Sequence, residues 1–168
     1  KDLAPGTGSG NPTWFAPAGN YLIFKARTAD GSAYRLWRTD GTADGTEVVD
    51  TDIEVAISTG GVDSTVAYGG KAYFNVNGGA TGYELCATDG TAQGTEKVAT
   101  VPGLFLSPNR TAVLNGILYF AARKGPGMGL WRTDGTASGT YRLAVTKRVL
   151  DMCAFDGAIW FAGHNPHN

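Results

Sequence analysis

Four short runs, apolar apart from Lys71, punctuate the chain: Tyr21-Leu22-Ile23-Phe24, Lys71-Ala72-Tyr73-Phe74, Ile117-Leu118-Tyr119-Phe120 and Ala158-Ile159-Trp160-Phe161. A turn dipeptide stands directly before each, respectively Gly19-Asn20, Gly69-Gly70, Asn115-Gly116 and Asp156-Gly157. Such pairs tolerate positive φ at both central residues of a type I′ turn, and with apolar flanks they predict two-residue β-hairpins. No segment carries a helical apolar period over about ten residues, so almost no helix is expected.

Between the hairpins runs a second recurring unit. Leu36-Trp37-Arg38-Thr39-Asp40-Gly41-Thr42-Ala43-Asp44-Gly45-Thr46 returns as Leu85-Cys86-Ala87-Thr88-Asp89-Gly90-Thr91-Ala92-Gln93-Gly94-Thr95 and as Leu130-Trp131-Arg132-Thr133-Asp134-Gly135-Thr136-Ala137-Ser138-Gly139-Thr140. The central Asp recurs at 40, 89 and 134, spacings of 49 and 45 residues. Periods in this range mark solenoids, propellers and arrays. Each repeat resolves into four strands: one before the tight turn (65–68, 112–114), one after it (72–76, 117–121), one carrying the Leu-Trp pair (34–38, 129–132) and one after the second Gly-Thr (47–49, 96–99). The polar loops around 77–82 and 124–127 vary while the cassette does not, as solvent-facing connections do. Four antiparallel strands per unit of this length predict an all-β fold of propeller-type blades. A β-solenoid is the second choice, but its coils are shorter and lack a tight hairpin in every repeat. The expected units are 1–52, 53–101, 102–146 and a first half of a fourth at 147–168, about three and a half blades.

The cassette joins the third strand of a unit to its fourth. An Asp in a turn accepts from the N–H groups that follow it, Gly supplies positive φ, and Thr hydroxyls tie the loop to itself. Asp40, Gly41 and Thr42, Asp89, Gly90 and Thr91, and Asp134, Gly135 and Thr136 are therefore read as structural corners that fix hairpin register. The alternative is a calcium loop using Asp40 and Asp44. The second acid becomes Gln93 and then Ser138, however, and calcium asks for six to eight oxygens and more than one carboxylate. No cofactor is expected. In the Leu-Trp pair, successive side chains point to opposite sides of the strand, so one of each pair is expected to pack between blades. Replacement of the indole by Cys86 favours packing volume. Trp14, Trp37 and Trp131 are the candidates for stacking on a sugar ring, were this a glycan-binding propeller.

Charge changes the picture by exclusion. The net charge is −1 with Lys and Arg scattered, which leaves no electrostatic footprint for nucleic acid or an anionic membrane. No apolar run approaches the roughly 18 residues that span a bilayer. Cys86 and Cys153 fall in different repeats and are read as small buried hydrophobes rather than a disulfide. Both histidines, His164 and His167, lie near the end of the chain, so no histidine-based triad is expected in its body, and the end itself is read as a tail. Asn109-Arg110-Thr111 fits a glycosylation sequon and is read as an ordinary loop, and Asp50 and Asp52 as solvated. No enzyme is expected.

The cassette resembles the ELWxxDGT repeat found in tandem in large, mostly bacterial surface or secreted proteins. Glu84-Leu85-Cys86-Ala87-Thr88-Asp89-Gly90-Thr91 is the copy nearest the pattern, without its Trp; Arg35 and Gly129 stand where the Glu would be in the other two. Lys1-Asp2-Leu3-Ala4-Pro5-Gly6 is similar to the segment that follows the cassette and opens the next unit. The resemblance covers nearly the whole chain. It implies a propeller-like extracellular or cell-surface protein and brings no catalytic residues. The expected role is a scaffold or protein-interaction module. The alternatives are a glycan-binding propeller and a subunit that assembles through open edges. With four hairpins against three cassettes, and Lys1 rather than Met at the start, the expectation is a piece of a longer chain or an arc completed by another chain.

Overall fold

The turn dipeptides set the geometry of the hairpins. In the computed structural model, which describes residues 1–5, 8–31, 34–49, 65–77, 83–101, 105–124 and 127–164, three of the four turn pairs are left-handed at both residues. These are Gly69 and Gly70 (φ +58° and +76°), Asn115 and Gly116 (+49° and +67°), and Asp156 and Gly157 (+48° and +72°). The first hairpin differs from the type I′ expectation: within its pair only Gly19 has positive φ, +56°, the pattern of a type II′ turn. Both turn types match the twist of the flanking strands. The closing pairs are accordingly alike, Ala18 opposite Tyr21, Tyr68 opposite Lys71, Leu114 opposite Ile117 and Phe155 opposite Ala158.

The strands are β1 (Thr13–Ala18), β2 (Tyr21–Arg27), β3 (Tyr34–Thr39), β4 (Glu47–Val48), β5 (Thr65–Tyr68), β6 (Lys71–Asn77), β7 (Tyr83–Thr88), β8 (Glu96–Val101), β9 (Phe105–Leu114), β10 (Ile117–Lys124), β11 (Gly127–Thr133), β12 (Tyr141–Thr146), β13 (Arg148–Phe155) and β14 (Ala158–His164). They form three four-stranded antiparallel sheets in sequential order and one two-stranded sheet, β13–β14. The architecture is all-β, with four-stranded antiparallel blades of propeller type that, among the described residues, do not close into a ring. No helix occurs among the described residues. The expected unit boundary at 52/53, the boundary at 101/102, the acids Asp50 and Asp52, most of the two variable loops and His167 fall outside the described residues.

One strand is longer than its sequence indicated. Pro108 and the polar Asn109-Arg110-Thr111 read as loop, yet their backbone belongs to β9. The register steps from Phe120↔Thr111 to Ala121↔Ser107, so residues 108–110 are accommodated as an irregularity in the ladder. A bulge is where a strand tolerates proline.

Strand alternation gives each sheet two apolar faces, and the sheets pack face to face. Ala16, Ala18, Ile23, Leu36 and Val49 of the first sheet meet Ala72, Phe74, Val76 and Cys86 of the second. Val66, Tyr73, Leu85, Ala87 and Val98 of the second meet Leu118, Phe120, Ala122 and Trp131 of the third. Ala121 and Leu130 of the third meet Val149 and Met152 of β13. Leu36, Leu85 and Leu130 thus look toward the following sheet, while Cys86 and Trp131 look toward the preceding one. Trp37 faces the same way as Cys86 and Trp131, and packs with Phe24, Ala26 and the half-buried Leu3. Burying a side chain such as Phe74 or Phe120 contributes about 2–3 kcal/mol, so the stacked faces are where the array gets its cohesion.

Candidate functional site: cassette corners and the clefts they line

The three cassettes fold into the same hydrogen-bonded corner. Asp40 Oδ1 accepts from the Thr42 N–H at 2.9 Å and from the Thr42 hydroxyl at 2.7 Å. Thr42 Oγ1 accepts in turn from the Gly45 N–H at 2.9 Å, and the Thr46 hydroxyl donates to the Thr42 carbonyl. Thr39 Oγ1 accepts from the Gly41 N–H at 3.0 Å and lies 2.7 Å from Thr46 Oγ1. The same bonds recur around Asp89 with Thr88, Thr91, Gly94 and Thr95, and around Asp134 with Thr133, Thr136, Gly139 and Thr140.

Nearly every shared residue has a physical reason to be there. Gly41, Gly90 and Gly135 have φ of +97°, +93° and +96°, which an L side chain rarely adopts. A Cβ on Gly45, Gly94 or Gly139 would fall 2.1, 2.1 or 2.0 Å from an atom of the Asp carboxyl group of its own cassette. The second glycine is therefore the space the carboxylate occupies. Nothing in the structure explains the shared Ala43, Ala92 and Ala137 side chains. The Thr42 hydroxyl and then the Thr42 N–H hold the Asp40 carboxyl below the ordinary range, and Thr91 and Thr136 do the same for Asp89 and Asp134.

Each later corner also sits on the preceding sheet. A Cβ on Gly90 would come 2.8 Å from the Tyr21 ring, and one on Gly135 3.0 Å from the Tyr73 hydroxyl. Arg38 Nη1 donates to the Gly90 carbonyl at 2.7 Å while its Nε donates to Glu47 Oε1 at 3.1 Å. The guanidinium lies 4.5 Å from the centre of the Tyr21 ring. Sequence reasoning passed over this arginine, although Arg38 and Arg132 occupy the same cassette position.

Beneath the third corner lies a cleft of about 670 Å³ that includes Tyr68, Lys71, Tyr73, Glu96, Asp134 and Gly135 in its lining. Lys71 Nζ pairs with Glu96 Oε1 at 2.5 Å, and the Tyr68 hydroxyl donates to the Gly116 carbonyl. Burial, then the neighbouring Tyr68, raises the Tyr73 phenol. A second cleft of about 550 Å³ includes Trp131, Thr140, Tyr141 and Arg142. In the first cleft Lys71 pairs with Glu96, Lys97 reaches out of the cleft to Glu84, and Asp134 accepts from the Thr136 hydroxyl and N–H and lies 3.8 Å from Arg132 Nη2.

Of the three tryptophans considered for sugar stacking, Trp37 and Trp131 are not displayed as that role requires. Trp37 is buried, lies against Phe24 with ring centres 6.3 Å apart, and donates from Nε1 to the Ala26 carbonyl at 3.2 Å. Trp131 is buried against Phe120 at 6.5 Å. Trp14 is half-buried at a positive φ of +67°, with Lys25 Nζ 3.9 Å from its ring centre. Among the described residues no three His, Cys, Asp or Glu groups gather as metal ligands would. The two cysteines differ from the expectation that both are buried: Cys86 is buried and Cys153 exposed. Cys153 stands opposite Trp160 on the face of β13–β14 that no further sheet covers among the described residues. His164, at the end of β14, is exposed and its carbonyl accepts from the Lys147 N–H. A scan against protein-family models and a search of curated proteins each return no match for this chain.

Proposed function

We propose that the chain is a non-catalytic scaffold or protein-interaction module of the ELWxxDGT repeat type, working outside the cell or at its surface. The observation that carries this reading is the contrast between a spent interior and an exposed aromatic pair on β13–β14. Each cassette Asp spends Oδ1 on its own corner, two of the candidate indoles are buried, and the charges of the larger cleft are paired. By contrast, Phe155 is 70% exposed and Trp160 60% exposed on the two-stranded sheet. Exposed aromatics of that size gathered in one place mark interaction surfaces. The same two strands, with no third strand beside β14 among the described residues, support a second reading, assembly into a larger oligomer through open edges.

Sedimentation velocity over rising concentration, run beside a glycan array, tests the proposal. Association with protein and an empty array are expected. Glycan hits would transfer the chain to the lectin reading, and a monomer that takes no protein partner would end the module reading.

A further inference from the structure

The first and second interfaces between sheets follow one plan, but one cross-strand pair is exchanged. In the first sheet Ile23 pairs with Arg38, and in the second Tyr73 pairs with Ala87. The Arg38 guanidinium engages Glu47, the Gly90 carbonyl of the following cassette and the face of Tyr21. Ala87 has no such arm. The counterparts of both acceptors are nevertheless kept. Glu96 pairs in register with Ala87 as Glu47 does with Arg38, and Gly135 holds the cassette position of Gly90. Both line the cleft of about 670 Å³. The cleft therefore lies where the second interface lacks the arginine of the first.

The lining of this cleft is short of donors. Its charges are paired, yet two neutral oxygens in it are not. The Gly135 carbonyl meets no donor among the described residues, whereas the Gly90 carbonyl has Arg38. The Tyr73 side chain is 4% exposed. Its hydroxyl stands beside Gly135 and has no hydrogen-bond partner among the described residues. Polar groups so placed call for a partner. Tyr68, its ring centre 5.9 Å from that of Tyr73, adds an aromatic wall such as Arg38 finds in Tyr21. Lys71 engages Glu96, but the two side chains are 34% and 53% exposed, and a pair that exposed holds weakly. Both walls are complete four-stranded sheets, so the cleft depends on neither end of the array. The segments outside the described residues contain no Lys or Arg.

We propose that this cleft binds a guanidinium, the side chain of an arginine on a partner protein. The group donates to the Glu96 carboxylate and the Gly135 carbonyl, the Tyr73 oxygen accepts a further N–H, and the guanidinium face lies on Tyr68. A guanidinium carries five donors in a rigid plane, which suits oxygens set around a pocket. An ammonium is a point charge, and Lys71 already supplies one. Asp134 has Oδ1 committed to its corner and Oδ2 3.8 Å from Arg132, and it keeps the cleft favourable to a cation once Lys71 moves aside. Arg38 shows within the same molecule that this arrangement holds such a group. The inference rests on the interaction-module reading and names the side chain that the partner presents.

The probes are N-acetyl-arginine N-methylamide, its lysine equivalent and agmatine, titrated into the full chain with backbone amide shifts as the readout. Saturable shifts at Tyr73, Glu96 and Gly135 are expected with blocked arginine, and much weaker ones with blocked lysine. Glu96→Gln should weaken the arginine about tenfold, whereas Lys71→Ala frees the carboxylate and should tighten it. Tyr73→Ile with Ala87→Arg restores the pair of the first interface, so the chain's own guanidinium should fill the cleft and abolish binding. Should that double variant not fold, the surface positions Glu96 and Lys71 carry the test. The proposal is overturned if blocked lysine binds equally well, if Lys71→Ala weakens binding, or if the shifts fall away from the cleft. Tighter binding of agmatine than of blocked arginine would give the cleft to a small guanidine and overturn the protein partner. Absence of binding in a chain that still takes a protein partner would remove the site and leave the module reading standing.

Discussion

Arg38 donates from Nη1 to the carbonyl of Gly90, 2.7 Å away and 52 positions further along the chain. This bond locks a strand of one sheet to the corner of the next, and the guanidinium also stacks over Tyr21. Arg38→Ala leaves a partly buried carbonyl short of its donor, at a cost of about 1–3 kcal/mol. Arg132→Ala removes the same side chain where Nε has no acceptor among the described residues, and should cost less. Urea midpoints of the two variants check the order, and equal losses would mean that the cross-sheet bond contributes nothing.

The second glycine of a cassette is required because the carboxylate fills the place of its Cβ. Gly45→Ala sets a methyl 2.1 Å from Asp40 Oδ1, and overpacking of this kind costs about 1–3 kcal/mol. The cost should shrink in an Asp40→Ala background, where the obstructing group is gone. A double-mutant cycle in the denaturation midpoint measures that coupling; additive losses would show that Gly45 matters for another reason.

These corners also show how much was legible. Turn dipeptides and a thrice-repeated cassette are local chemistry, and local chemistry survives in a one-dimensional reading. Hence the hairpins at Gly69-Gly70, Asn115-Gly116 and Asp156-Gly157 could be found from residue types alone. The first departed because its second central residue, Asn20, does not take positive φ. The start of β9 was hidden because proline and polar residues look the same in a bulge as in a loop. Which face is covered was the least legible property. Cys153 aligns with the apolar Val66 and Ala112, yet it is exposed where no neighbouring sheet covers it among the described residues. Arg38 and Arg132 share a position, yet their surroundings differ because the neighbours differ. Register along a strand is written in the sequence, whereas the occupant of the facing sheet is not.

Acid should loosen all three corners together. The threonine hydroxyl and N–H lower the folded-state pKa of Asp40, Asp89 and Asp134 beneath the ordinary value of 3.8. Groups lowered on folding contribute stability that is complete above the unfolded-state value and is lost as pH falls through the folded one. Stability should therefore decline as pH drops below about 4. Replacing the three by Asn keeps an acceptor oxygen and removes the titration, so the variant's acid slope should be shallower. An unchanged slope would assign the acid sensitivity to other carboxylates.

The two thiols offer a test of face coverage in solution. Burial, and then the nearby Glu84, pushes the Cys86 thiol up to about 12, with Lys97 opposing, so at neutral pH almost none of it is thiolate, the reactive form. Its sulfur is also shut between the first and second sheets. Cys153 is exposed opposite Trp160. A disulfide-exchange reagent at about pH 8, near the pKa of an ordinary thiol, should consume one thiol per folded chain within the mixing period and the second only on unfolding. Cys153→Ser should abolish the fast phase and Cys86→Ser should leave it intact. Two equally fast thiols would mean that the first and second sheets do not stay packed, and a folded chain with no fast thiol would mean that the outer face of β13–β14 is covered in solution.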